Sequence, residues 1–316
     1  MQPIVIQTEI LPQECSDWLS ERYDLHICPS DSLRFKELLP NAHGLVIRTY
    51  TTVDQQMIET ATSLKVVGRA GAGVDNIDLT ACKKNNVTVV HTPEANSESV
   101  VEFVITTMLS NLRNLQQVTT ELKQEEWNAL RDASMTNKEF PELTLGIIGF
   151  GRIGGRLGKM AKNMGFNVVF TDLLKVVETF GCQQVHLNQL LKESDVVSVH
   201  VDGREENTHL CDTGVSAEMK PEALFINSSR GLVVDAYALS DFLSHNPNAH
   251  AILDVHDPEP ITTEYPLLHT KNATLFPHIA CKTKTATTSM GWVVKDVDAV
   301  IRGETPRFTA PLELSP

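Results

Sequence analysis

The sequence has no apolar run near the ~18 residues that a membrane-spanning helix needs. Its opening Met1-Gln2-Pro3-Ile4-Val5-Ile6 has neither a basic leader nor a long apolar core. Basic charge is also short, with 27 Lys and Arg facing 40 Asp and Glu for a net charge of -13. That is the wrong sign for binding a phosphate backbone or an anionic membrane, so neither nucleic acid nor membrane is expected as a partner. The six cysteines form no C-x-x-C pair and have no histidine at ligand spacing, which leaves no signal for a zinc site, any other metal or a disulfide framework. Seventeen Gly and 15 Pro are too few for a fibre or a low-complexity chain. A folded, cytoplasmic protein is the expectation.

What is present is α/β patterning. At 316 residues the chain has room for two cores, and Val- and Ile-rich runs alternate with amphipathic stretches in two series. The first predicts five strands, at Ile4-Val5-Ile6, Leu25-His26-Ile27, Gly44-Leu45-Val46-Ile47, Lys65-Val66-Val67-Gly68 and Val87-Thr88-Val89-Val90. The second predicts six, within 144–148, 167–170, 195–199, 223–226, 251–253 and 273–276. Between them, apolar residues at 100, 101, 104, 105, 108, 109 and 112 predict a long helix within Ser97–Leu115 that links two domains. The stretch from Thr285 to Ala299 also has helical patterning and is expected to return to the first domain.

Gly149-Phe150-Gly151-Arg152-Ile153-Gly154 follows a predicted strand and opens a predicted helix. In that setting the glycines permit a tight turn, a close approach of pyrophosphate and close helix–strand packing, with the helix N-terminus facing the phosphates. Asp172 closes the next strand, about 20 residues on, where a carboxylate accepts ribose hydroxyls and repels a 2′-phosphate. NAD is therefore expected over NADP.

The polar residues of the second series recur at strand ends: Asp172, His200, the Asn227-Ser228-Ser229-Arg230-Gly231 turn, Asp254 and His278. Ligands of open α/β sheets bind at those ends. Reducing a 2-oxo acid needs a planar cation to pair with carboxylate and polarise the carbonyl, which suits Arg230. It also needs an acid for the new alkoxide, which suits the imidazole of His278, with Glu259 as its hydrogen-bond partner. His200 is either a cofactor contact or structural.

Together these residues resemble the D-isomer-specific 2-hydroxyacid dehydrogenase family, and within it the D-3-phosphoglycerate dehydrogenase-like branch. The resemblance is carried, in order, by 46–49, 67–78, Thr92-Pro93, Asn96-Ser97, the glycine fingerprint, 227–231, 254–260 and Pro277-His278-Ile279-Ala280. It implies two doubly wound parallel-sheet domains, a Rossmann NAD-binding domain (94–282) inserted in a flavodoxin-like substrate domain (1–93 and 283–316). Arg230, Glu259 and His278 would be the catalytic trio. Gly149, Gly151, Arg152, Ile153, Gly154, Asp172, His200, Ser229, Asp254 and His278 would face the cofactor, Asp254 through the nicotinamide amide. The backbone at Ala72, Gly73 and Val74 would hold the substrate carboxylate, Asn96 and Arg230 would join it, and Arg48 and Arg69 would meet a distal phosphate. A homodimer built around the cofactor domains and closure of the cleft are also implied.

Three positions depart from the family pattern: Ala95 for Gly, Cys281 for Gly or Ser, and Asp202-Gly203-Arg204 for Pro-Leu-Thr. Cys281 is expected to fill space. With the chain ending at Pro316, no regulatory domain or serine feedback is expected. The implied activity is oxidoreduction of 3-phosphoglycerate and 3-phosphohydroxypyruvate. The alternatives are a glyoxylate or hydroxypyruvate reductase, a specialised biosynthetic 2-hydroxyacid dehydrogenase and, more remotely, an NAD-sensing corepressor.

Overall fold

The computed structural model describes residues 2–113 and 115–310. They form two compact units, one comprising the chain up to Ser97 and from Cys281 onward, the other Glu98–Ala280. The second is therefore inserted in the first. The division falls later than 93/94 and earlier than 282/283 for a local reason. Ala280 is tied into the second unit through its N–H on Asp254 and its carbonyl under the Ser99 hydroxyl. Cys281, the next residue, packs on the core of the first unit, filling space as expected.

In the first unit five parallel strands, β1 (Ile4–Gln7), β2 (Asp24–Ile27), β3 (Ala42–Ile47), β4 (Val66–Arg69) and β5 (Thr88–His91), lie in the order β2-β1-β3-β4-β5. The strand order reverses between β1 and β3, so the loops after those two strands meet at the sheet's switch point. The stretch predicted as helical over 285–299 is two helices, Lys284–Gly291 and Val294–Ile301. They part where Gly291 comes so close to Cys15 and Pro12 that a Cβ would lie 2.8 and 2.9 Å from them. Val293, Val294, Val297 and Ile301 cover Val5, Val46, Val66 and Val90 on one face of the sheet.

The second unit holds seven parallel strands rather than six: β6 (Thr144–Ile148), β7 (Asn167–Thr171), β8 (Gln183–Gln184), β9 (Val196–Val199), β10 (Leu224–Asn227), β11 (His250–Leu253) and β12 (Ala273–Leu275). Their order is β12-β11-β10-β9-β6-β7-β8. β8 went unpredicted because it is two exposed glutamines, with no apolar run to mark it. The linking helix is Ser97–Leu112, stopping where its apolar period stops. Val100, Val101, Val104 and Met108 on it pack with Leu145, Ile147 and Phe170 of the sheet. The order reverses between β6 and β9, which opens a crevice at their carboxyl ends. No helix among the described residues is long and apolar enough to cross a membrane.

Candidate active site

The crevice begins at the glycine turn after β6. Gly149 has φ +88°, and a Cβ on it would lie 2.9 Å from the His200 carbonyl. A Cβ on Gly154 would lie 2.1 Å from Gly149 O, whereas Gly151 faces open space. Two glycines are thus required by close contact, Gly149 with the end of β9 and Gly154 within the turn, and the third leaves bare backbone at the N-terminus of the helix Arg152–Asn163, where a pyrophosphate can approach. Arg152 is exposed there and Ile153 packs on the core. Asp172 follows β7, its Oδ2 accepting the Phe150 N–H at 2.7 Å and its Oδ1 the Leu174 N–H at 3.0 Å. The carboxylate steadies the turn, and each oxygen keeps acceptor capacity for a ribose hydroxyl. Asp172→Asn should weaken NADH binding about tenfold and move the preference toward NADPH. Fluorescence titration with both dinucleotides checks this, and an unchanged ratio would count against the role.

His200 and Ser198 lie two apart, on one face of the strand end, and their Nε2 and Oγ are 2.9 Å apart. Burial pushes this imidazole down to about 3, so it stays neutral. Its Nδ1 and the Ser228 Oγ are buried with no hydrogen-bond partner among the described residues. Two such atoms beyond the adjacent strands β9 and β10 fit a ligand that supplies the missing partners. The Ser229 hydroxyl, by contrast, donates to Asn227 Oδ1 at 2.8 Å, and the Asn227 amide donates to Arg230 O at 2.9 Å. Asn227 thereby fixes the turn that presents Arg230. The stem of Arg230 rests on Gly203, where a Cβ would come 2.8 Å from its Cγ. The departure at 202–204 thus lies against Arg230. Asp202 there grips Arg204, which holds the Asp202 carboxyl below its usual range.

Glu259 follows β11 and His278 follows β12. Glu259 Oε2 accepts the Nδ1–H of His278 at 2.9 Å, and Oε1 accepts the His256 N–H at 2.8 Å. Burial pushes the Glu259 carboxyl up, but the two hydrogen bonds outweigh it and the net shift is down. A carboxylate on Nδ1 leaves Nε2 to exchange a proton. His278 has φ +55°, a left-handed backbone that a histidine rarely adopts. Asp254, only 1% exposed, holds it there: Oδ1 accepts the Ile279 N–H at 2.7 Å, Oδ2 the Ala280 N–H at 2.8 Å, and its carbonyl the His278 N–H at 2.8 Å. Asp254 thus has a task within the protein, and each of its oxygens keeps acceptor capacity for the nicotinamide amide that the resemblance assigns to it. Burial nevertheless keeps its carboxyl above the usual range.

In the first unit, Arg48 follows β3 and Arg69 closes β4. The backbone N–H groups of Arg48, Thr49, Tyr50 and Thr51 all donate to the carboxylate of Glu9, at 2.9 to 3.2 Å, and the Arg48 guanidinium donates to Ile10 O at 2.9 Å. Glu9 was missed because no motif marks it; only its place after β1, at the switch point, gives it away. The Arg69 guanidinium lies over Gly71. The next segment is steadied by the Nδ1–H of His91 on Ala72 O at 2.8 Å. The N–H groups of Ala72, Gly73 and Val74 meet no acceptor among the described residues, which suits a carboxylate. Asn96 Oδ1, Thr92 Oγ1 and Ser97 Oγ are likewise buried without partners there. Among the described residues, no group of three or more His, Cys, Asp or Glu could hold a metal ion.

The family model of the D-isomer specific 2-hydroxyacid dehydrogenase NAD-binding domain matches residues 105–280. The chain belongs to this family. D-3-phosphoglycerate dehydrogenase of Archaeoglobus fulgidus is 32% identical over 92% of the chain, and hydroxypyruvate reductase of Thermotoga maritima 33% over 89%. The chain spans 56% of the former's length and 92% of the latter's, and 51% of a second phosphoglycerate dehydrogenase, from Methanocaldococcus jannaschii. Among solved structures, the D-lactate dehydrogenase of Aquifex aeolicus, complexed with NAD and lactic acid, aligns with a TM-score of 0.80 at 26% identity, covering 95% of this chain and 96% of that one. The match to 105–280 falls within the inserted unit, so the glycine turn, Arg230, Glu259 and His278 all lie in the family's NAD-binding domain.

Proposed function

We propose that the protein transfers a hydride between NAD(H) and C2 of a D-2-hydroxy or 2-oxo acid, with 3-phosphoglycerate and 3-phosphohydroxypyruvate the first-choice pair. The observation that carries this reading is the Glu259–His278 pair at 2.9 Å, set after the next two strands beside the one whose turn presents Arg230. Bound nicotinamide supplies or accepts the hydride. Arg230 pairs with the substrate carboxylate and draws electron density from the C2 carbonyl. His278 gives its Nε2 proton to the oxygen during reduction and takes it back during oxidation, while Glu259 stabilises the imidazolium. Ala72 to Val74, Asn96, Arg48 and Arg69 are assigned to the acid, the arginines to an anionic tail.

A second reading, a hydroxypyruvate or glyoxylate reductase, is favoured by one observation. Glu9 already fills the backbone amides of 48–51, so a distal anion would have only the guanidinium of Arg48 to meet there. Relatives of those two names match almost end to end, at 92% and 95% of their lengths. The test is NADH oxidation with 3-phosphohydroxypyruvate, hydroxypyruvate, glyoxylate, pyruvate and 2-oxoglutarate. Preference for the phosphorylated acid supports the first reading, preference for another acid keeps the chemistry and replaces the substrate, and no turnover across the panel overturns both. A homodimer belongs to the proposal because the helix Gln124–Ala133 buries none of its residues and leaves Trp127 46% exposed. A monomer in sedimentation equilibrium would remove it.

A further inference from the structure

His256 lies between Asp254 and Glu259, and the chemistry above leaves its side chain without a task. Its ring is buried, at 8% exposure, and touches two other segments. Nε2 is 2.8 Å from the carbonyl oxygen of Phe276, which can only accept, so Nε2 carries the hydrogen. Nδ1 is then the acceptor for the hydroxyl of Tyr265 at 3.2 Å. Tyr265 meets the ring edge-on, at 5.3 Å and 83°. Burial, with the Asp257 and Glu259 carboxylates nearby, pushes its phenol up to about 12, so it remains a donor. The main-chain N–H of His256 is the group that donates to Glu259 Oε1. Phe276 is two residues before His278. Gly231, next to Arg230, is pressed on the His256 carbonyl so closely that a Cβ would lie 2.0 Å from its oxygen.

We propose that His256 is a positioning residue that sets the Glu259–His278 pair by tying the loop of Glu259 to the strand end that leads to His278. It rests on reading that pair as the group that moves the proton. The main chain of His256 holds the carboxylate, and its side chain holds the segment that delivers the imidazole. An imidazole can do this because it offers a donor on one edge and an acceptor on the other at a fixed separation. A phenyl ring of similar size would fill the space and offer neither. In a buried site the two hydrogen bonds meet little competition from water. The ionisable groups around the ring are Tyr265, Asp257 and Glu259, with Asp254 and His278 beyond Glu259.

Without the tie, His278 and Glu259 would spend less time paired, and proton transfer would slow. The glycine turn and Arg230 would still bind their ligands. His256→Phe should therefore lower kcat about tenfold for the 2-oxo acid reduced fastest in the panel, with KM and the NADH Kd within about threefold of the parent. His256→Gln, whose amide can reach the Phe276 carbonyl, should recover most of that loss. Glu259→Gln combined with His256→Phe should be no slower than Glu259→Gln alone, because the effect passes through Glu259. If His256→Phe does not fold, Tyr265→Phe should lower kcat a few fold with the same non-additivity. An unchanged kcat in the Phe variant, a Gln variant no better than Phe, or additive losses would overturn the positioning role while the catalytic reading stands. A fully active Glu259→Gln would overturn that reading and this inference with it.

Discussion

Arg230→Ala is expected to lower kcat/KM for 2-oxo acid reduction by about 10³- to 10⁴-fold, on the order of 4 to 5.5 kcal/mol of transition-state stabilisation. The size follows from what one guanidinium is asked to do. On the proposed reading it would neutralise the substrate carboxylate, which its planar fork can meet with two parallel hydrogen bonds, and stand by the carbonyl as negative charge grows on its oxygen. Arg230→Lys should recover only part of the loss, because an ammonium is a point charge that cannot reproduce the planar fork. NADH affinity should stay within a few fold, since the glycine turn and Asp172 belong to other loops. Steady-state kinetics with fluorescence titration of NADH separates the two effects, and normal turnover by the alanine variant would end the assignment.

The second large effect is expected at Asp254, whose carboxylate and carbonyl hold the backbone around His278. Its two carboxylate oxygens each accept a backbone N–H from the segment that follows His278, and its carbonyl accepts the N–H of His278 itself. Asp254→Ala would strand two N–H groups at a buried position, at about 1–3 kcal/mol each. It would also release the left-handed backbone at His278, since such a conformation persists only where its surroundings over-determine it. The expected result is a loss of about 2–5 kcal/mol in urea unfolding together with a fall in kcat of about 100-fold. Asp254→Asn keeps one acceptor oxygen and should lie between. A variant with parental stability and kcat would show that the loop holds His278 unaided.

The contrast between these residues explains what the sequence made legible. Arg230, Glu259 and His278 are visible because strand periodicity places their segments at the carboxyl ends of adjacent strands, and because their side chains suit the chemistry. The glycine turn is visible because close backbone contact excludes other residues. Asp254 is visible as a polar residue closing a strand, but its task is not, since two bonds to main-chain N–H groups leave no trace in residue type. The same holds for Glu9, which serves four backbone amides from β1's end. Ser198 could have been paired with His200 from their spacing of two along one strand. The strand β8 lay beyond any apolar pattern, and the domain boundary depended on hydrogen bonds at Ala280 rather than on composition.

The insertion of one unit within the other also orders the chain in time. Synthesis runs from the N-terminal side, so all five strands of the first sheet emerge before any of the inserted unit. Glu98–Ala280 then appears as one uninterrupted segment, with every strand of its own sheet. The first sheet must wait longer. Leu11, Cys15 and Leu19 are made early, but Val46, Val66 and Val90 lack the cover of Val293, Val294, Val297 and Ile301 until those residues have left the ribosome. A nascent chain paused anywhere in the inserted unit thus carries a set of strands with a partly open apolar face, the kind of surface on which molecular chaperones act.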